Sequence, residues 1–113
     1  MVARNKLLKS PPYPVQQSVQ RLGGNLRIAR MRRNMTIAEA AERIGTGPRA
    51  VMDAEKGKPS TGIMVYGALL WLYDQLQQLD EVADPSTDKV GLSLETAKKR
   101  MRVRKGKGLD SDF

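Results

Sequence analysis

The stretch from Thr36 to Lys58, TIAEAAERIGTGPRAVMDAEKGK, constrains the fold of this chain more than any other. Thr36 with Glu39 three places on has the form of a capping box, in which each side chain satisfies a backbone N–H at a helix start. A helix is therefore predicted from Ile37. Ala40, Ala41 and Ile44 recur at helical spacing and make one apolar face. Gly45 supplies the positive φ that a sharp C-terminal turn needs. Gly47 and Pro48 open a second helix, because proline at the first helical position gives up an N–H that would have had no intrahelical partner. Val51 and Ala54 face inward, and Gly57 ends the helix near Lys56.

Counted from Ile37 as the first residue, Ala41 is fifth, Gly45 ninth and Val51 fifteenth. Small residues at these places let two helices approach across a short turn, which is the helix-turn-helix pattern. The stretch resembles the Cro/repressor (XRE) family of DNA-binding proteins, whose usual signature is close to L-T-Q-x-x-L-A-x-x-x-G-V-S-x-x-x-I-S-x-x-E-x-G. At the matching places this chain has Met35, Thr36, Ile37, Ala40, Ala41, Gly45, Thr46, Gly47, Val51, Met52, Glu55 and Gly57. It departs at Ile37, where the family often has a glutamine that touches DNA, and at Gly47, where a hydroxyl is common. The resemblance implies an all-α fold, a five-helix Cro/repressor-like domain. It also implies a partly buried ion pair between Arg30 and Glu55, tying the first helix of the domain to the end of the third.

At 113 residues the chain is long enough for one domain of modest core with an arm or tail. It has no cysteine, so disulfides, thiol nucleophiles and thiolate metal sites are excluded. It has no histidine either, which removes the commonest general base and metal ligand. With no glycine-rich phosphate loop after a strand, the expectation is a protein that is not an enzyme and takes no cofactor or metal. Glu39 and Glu42 read as the solvated face of their helix. No apolar run approaches the roughly 20 residues of a membrane span. The start MVARNKLLKSPPYP lacks the apolar stretch of a signal peptide. A cytoplasmic protein is expected.

Residues 1–22 carry four basic and no acidic groups, 23–84 carry eight of each, and 85–113 carry eight basic and four acidic. A neutral centre is thus flanked by two basic extensions. The pattern suits a polyanionic partner, with plain solubility as the competing reading.

Residues 1–14 read as a flexible basic arm: Pro11, Pro12 and Pro14 argue for extended backbone, and Arg4, Lys6 and Lys9 lie along phosphates or in solvent. The domain is expected over 15–84. Its first helix runs from about Val15 to Arg33 with Val15, Val19, Leu22, Leu26, Ala29 and Ile28 as candidates for the buried side; Gly23 and Gly24 mark a start or a bend. Ser60 is a candidate N-cap for an apolar helix ending near Leu72, and a last helix is expected over Asp74–Val82. The surplus apolar surface of these two, including Trp71 and Tyr73, suggests homodimerisation.

The tail, 85–113, has a short apolar patch at Val90, Leu92 and Leu94, then Lys98, Lys99, Arg100, Arg102, Arg104, Lys105 and Lys107. Such a run is either a solvated tail or a segment that orders on DNA or an acidic protein groove. The layout of a proline-rich lead, the motif, a helix rich in tryptophan and leucine, an A-D-P-x-x-D-x-V-G-L-x-L segment and a basic end is similar to that of HipB-type antitoxins. That resemblance implies a HipA-like Ser/Thr kinase toxin as partner and autoregulation of a shared operon. A free-standing XRE regulator is the alternative.

In the family geometry, the helix from Pro48 to Lys56 lies in the major groove of double-stranded DNA. Arg49 is then the candidate for a bidentate contact to guanine. Asp53 either accepts from cytosine or orients Arg49, and Met52 meets a thymine methyl. Thr36, Thr46 and Gly47 offer hydroxyl and N–H groups to phosphates, with Lys56 and Lys58 beside the backbone. One such helix reads few base pairs, so a dimer on a palindromic operator is expected, with half-sites roughly 34–36 Å apart.

Overall fold

A computed structural model describes residues 6–106, which are helical and turn throughout with no strand among them. The chain divides into two units at Leu79 and Asp80. The first holds helices α1 (Lys6–Lys9), α2 (Tyr13–Arg32), α3 (Ile37–Ile44), α4 (Pro48–Lys56) and α5 (Ile63–Leu72), followed by the start of a single turn, α6 (Gln77–Asp80). The second holds a 3₁₀ turn at Pro85–Thr87 and α7 (Lys89–Gly106). Among the described residues no helix is long and apolar enough to cross a membrane.

Local chemistry sets the central elements. Thr36 Oγ1 accepts from the Glu39 N–H at 3.0 Å while Glu39 Oε1 accepts from the Thr36 N–H at 2.8 Å, closing the capping box at the head of α3. Gly45, at φ 80°, ends α3: its N–H donates to Glu42 O and that of Thr46 to Ala41 O. This paired pattern satisfies two of the carbonyls that a helix end leaves free. Gly57, at φ 68°, closes α4 in the same way through Ala54 O and Asp53 O.

The core lies where α2, α3, α4 and α5 meet. Leu26, Ala29, Ala40, Ala41, Val51, Ala54, Tyr66, Leu69, Leu70 and Tyr73 are buried in it. Two glycines permit the crossing of α2 over α4. A Cβ on Gly23 would strike the carbonyl oxygen of Ala54 and sit 2.7 Å from that of Glu55; one on Gly57 would sit 2.6 Å from Gln20 Cα. Gly23 therefore neither starts nor bends a helix. It lies inside a continuous α2 because no side chain fits between the two backbones.

Other expectations are corrected. The segment over residues 6–14 is extended only around Pro12, at φ −55° and ψ 136°: α1 forms at Lys6–Lys9, and α2 begins at Tyr13 with Pro12 as its cap and Pro14 in its first turn. Proline is compatible with that position because the first-turn N–H groups have no intrahelical acceptor. Arg4 lies outside the described residues. Val15 and Ile28 are half exposed, so the buried stripe of α2 is narrower than its apolar content. Gly62, not Ser60, caps α5. The helix expected over Asp74–Val82 shrinks to Gln77–Asp80, since Asp74 takes φ 61° and breaks the path. Tyr73 turns inward and is buried, while Trp71 stays 58% exposed.

The tail is not irregular as far as residue 106; Lys107 lies outside the described residues. Asp88 accepts from the Gly91 N–H at 2.9 Å, so its side chain serves the head of α7. Alanine, leucine, lysine, arginine and glutamate dominate the next turns, all good helix formers. Arg104 and Lys105 in the last turn complement the negative end of the helix dipole.

Candidate nucleic-acid interface

The sequence places its candidate side chains on α4 and at the ends of α3 and α4. What fixes α4 is Arg30 on α2. Its Nε donates to Glu55 Oε2 at 2.7 Å and its Nη2 to Glu55 Oε1 at 3.1 Å, a two-pronged pairing with side chains only 10% and 5% exposed. A third bond runs from Nη1 to the carbonyl of Met35 at 2.8 Å, which ties the loop before α3 to the same guanidinium. Hydrogen bonding to Glu55 raises the pKa of Arg30 further, against the opposing effect of burial. The pair joins α2, α4 and the entry to α3 through one charged group.

Held this way, α4 keeps Val51 and Ala54 in the core and turns other residues outward. Arg49 is exposed in the first turn, Lys56 is exposed in the last, and Met52 is half-buried between them. Pro48 brings no N–H, and no side chain caps the helix at Gly47, which is extended at φ −84° and ψ 158°. The head of α4 is therefore open, with the partial positive charge of a helix N-terminus.

The remaining candidates differ in what they have free. Thr36 has spent its N–H on Glu39, and its hydroxyl serves the same capping box, so in this arrangement Thr36 is committed to the head of α3. The N–H of Thr46 is taken by Ala41 O, leaving its side chain. Gly47, next to Thr46, is exposed. Asp53 does not orient Arg49: its carboxylate faces Lys58 Nζ at 3.7 Å, and Lys58 donates its backbone N–H to Asp53 O at 3.0 Å. The Asp53 side chain is 21% exposed and that of Lys58 51%, so this pair is screened by water and contributes little to stability.

One residue has a role that sequence spacing did not suggest. Arg33 donates from Nη1 to Ala29 O at 2.9 Å and from Nη2 to Tyr73 O at 3.0 Å, with its guanidinium 5.4 Å from the Tyr73 ring centre. It closes the end of α2 onto the end of α5. Its partner lies 40 residues away, so no local pattern marks it. The exposed apolar residues Ile63, Met64 and Trp71 of α5 form a surface separate from α4 in sequence.

The chain matches no protein-family model, no characterised protein and no solved structure.

Proposed function

We propose that this chain is a sequence-specific DNA-binding repressor of the helix-turn-helix class that acts as a homodimer on a palindromic operator. The observation that carries the reading is the presentation of α4. It is anchored from behind by a buried Arg30–Glu55 pair and joined to α3 by a three-residue turn. Outward it offers Arg49, Met52 and Lys56, with Lys58 just beyond. A helix of this length with two exposed cations, Arg49 and Lys56, on its outer face matches the major groove, which admits an α-helix and displays a distinct donor and acceptor pattern for each base pair. Arg49 reads guanine, Met52 meets a thymine methyl, and Lys56 and Lys58 hold phosphate. Asp53 tempers Lys58 and keeps its accepting oxygens for a cytosine amino group. The exposed Met64 and Trp71 face of α5 supplies the dimer contact.

The finer part of the proposal is that the repressor is the antitoxin of a HipA-like Ser/Thr kinase and regulates the operon that encodes both. The layout from Ala83 to Leu94 supports it, and so does a second unit whose described helix buries none of its side chains. A free-standing regulator would show no kinase binding.

The test is fluorescence anisotropy on a promoter duplex and on a scrambled duplex of equal length. Arg49→Ala is expected to narrow the difference between them by roughly tenfold, one bidentate base contact being worth about 1–3 kcal/mol. Equal weakening on both duplexes would assign Arg49 to phosphate, and equal binding of the unmodified protein to both would overturn the repressor reading. Co-expression with the kinase followed by size-exclusion chromatography decides the antitoxin part.

A further inference from the structure

Helix α7 carries a seam that DNA binding does not use. Val90, Leu94, Ala97 and Met101 follow one another at intervals of four, three and four residues. At about 100° per residue they fall within a sector of about 60°, the spacing of a coiled-coil seam. No charged residue enters that sector between Val90 and Met101; Arg104 takes the next seam position and ends the apolar stripe. All four are exposed, with Val90 71%, Leu94 65% and Met101 60% accessible. Leu92 and Val103 lie on the opposite side, separated by Thr96 and Lys99.

The flanks identify the occupant. In the heptad that this seam defines, the positions alongside it are Gly91, Lys98 and Lys105 on one edge and Ser93 and Arg100 on the other. Every charged flank is basic; the acidic residues Asp88 and Glu95 sit away from the seam. A second copy of α7 would offer no acidic group to these cations, and in a parallel pair Arg100 would face Lys105 of the other chain. Self-pairing is disfavoured in either orientation. A nucleic acid would satisfy the cations and leave the apolar stripe in water. Val90 to Met101 spans roughly 16 Å at 1.5 Å per residue, short of the three to four heptads, roughly, that sustain a free coiled coil.

We infer that α7 docks through Val90, Leu94, Ala97 and Met101 into a preformed apolar groove on a partner protein whose rim is acidic, with Lys98, Arg100 and Lys105 meeting that rim. This deepens the partner half of the proposed function and rests on it only for the partner's identity. Apolar anchors at such spacing are the usual way a helix is read in a groove.

The experiment uses the full chain and two probes: the co-purified HipA-like kinase, and a labelled synthetic helical-hairpin peptide whose two helices present a leucine-lined groove with glutamate along its rim. Four double variants are compared by anisotropy. Leu94→Asp with Met101→Asp removes the seam, and Lys98→Glu with Arg100→Glu reverses the flank. Lys99→Glu with Arg102→Glu makes the same charge change on the far side, and Leu92→Asp with Val103→Asp makes the same apolar change there. The first two are expected to lose at least about tenfold in affinity for the peptide, the first because two apolar anchors become carboxylates and the second because like charges then face the acidic rim. The far-side variants are expected to stay within about twofold of the unmodified chain, which also controls for loss of the helix itself. Equal losses for the two charge reversals would overturn the inference in favour of a polyanion, and unchanged binding by the seam variant would overturn it outright. If the kinase fails to bind while the peptide obeys this pattern, the antitoxin reading falls and the inference stands.

Discussion

Gly23 and Gly24 are neighbours in the middle of α2, and replacing each by alanine should move stability in opposite directions. Both substitutions gain helix propensity, worth about 1 kcal/mol. At Gly24 the new methyl meets nothing within 4 Å, so that gain is realised in full. At Gly23 the methyl would lie 2.7 Å from the Glu55 carbonyl oxygen and 2.9 Å from its carbon, besides striking Ala54 O. These neighbours are backbone atoms of α4, which cannot swing aside as a flexible side chain can. Relief requires α2 and α4 to separate at the point where Gly57 already brings α4 against Gln20. Overpacking against backbone that cannot yield falls in the upper part of the usual range, about 2–3 kcal/mol, leaving a net loss of about 1–2 kcal/mol after the propensity gain. In a domain of this size 1 kcal/mol shifts the midpoint by about 4–8 °C. Thermal unfolding followed by circular dichroism should therefore show Gly24→Ala above the unmodified protein and Gly23→Ala below it. The Gly23→Ala protein should also bind DNA more weakly, because its α4 is displaced. Two stabilised variants would refute the close crossing of these helices.

Further outcomes follow from the buried pair and the capping box. Glu55→Leu leaves the Arg30 guanidinium buried without its partner and should cost about 3–5 kcal/mol in urea denaturation. The double change Arg30→Met with Glu55→Leu should recover most of it, and a double variant as unstable as the single would contradict the assignment. The Thr36 N–H, and secondarily its hydroxyl, hold the Glu39 carboxyl below its ordinary pKa. Its stabilising contribution is therefore complete above the ordinary carboxyl range and is lost as pH falls through the lowered folded value. Glu39→Gln, which keeps the capping geometry, should flatten that part of the acid unfolding profile; an unchanged profile would show that the cap is not formed in solution.

The elements readable in the sequence are those whose cause is local. Thr36 and Glu39 are three residues apart, Gly45 and Gly57 each answer to their own φ, and Pro48 needs only its own ring, so α3, the turn and α4 were legible. Arg30 with Glu55 was legible only through the family pattern, because 25 residues separate them. Features that depend on which backbone passes where were not legible. Gly23 looks like a breaker until α4 is seen against it, and Tyr73 looks like surplus surface until Arg33 closes over its carbonyl. Pro14 reads as extended backbone together with Pro11 and Pro12, although a proline in the first turn of a helix costs nothing in hydrogen bonds. The residues of α4 that face outward were named from the motif; the diversion of Asp53 to Lys58 depends on rotamers that spacing does not specify.

Salt dependence separates the two basic regions, because each phosphate neutralised lowers the slope of log K against log salt by about 0.9. Among the basic residues of the neutral centre, Arg30 is committed to Glu55 and Arg33 to two carbonyls, so neither is available to DNA. Lys56 and Lys58 remain for phosphate at the α4 face, Arg49 being assigned to a base, and a dimer presenting both sets would neutralise about four phosphates, giving a slope of about −4. If Lys98, Arg100 and Lys105 of both chains also lay on phosphates, about six more would be neutralised and the slope would approach −9. The seam on α7 assigns those three cations to a protein groove. The expected slope for the full chain is therefore near −4, and it should not change when Lys98, Arg100 and Lys105 are all replaced by glutamine. A slope near −9 that falls to −4 on that replacement would place α7 on the nucleic acid and remove the reason for a protein partner with an acidic rim.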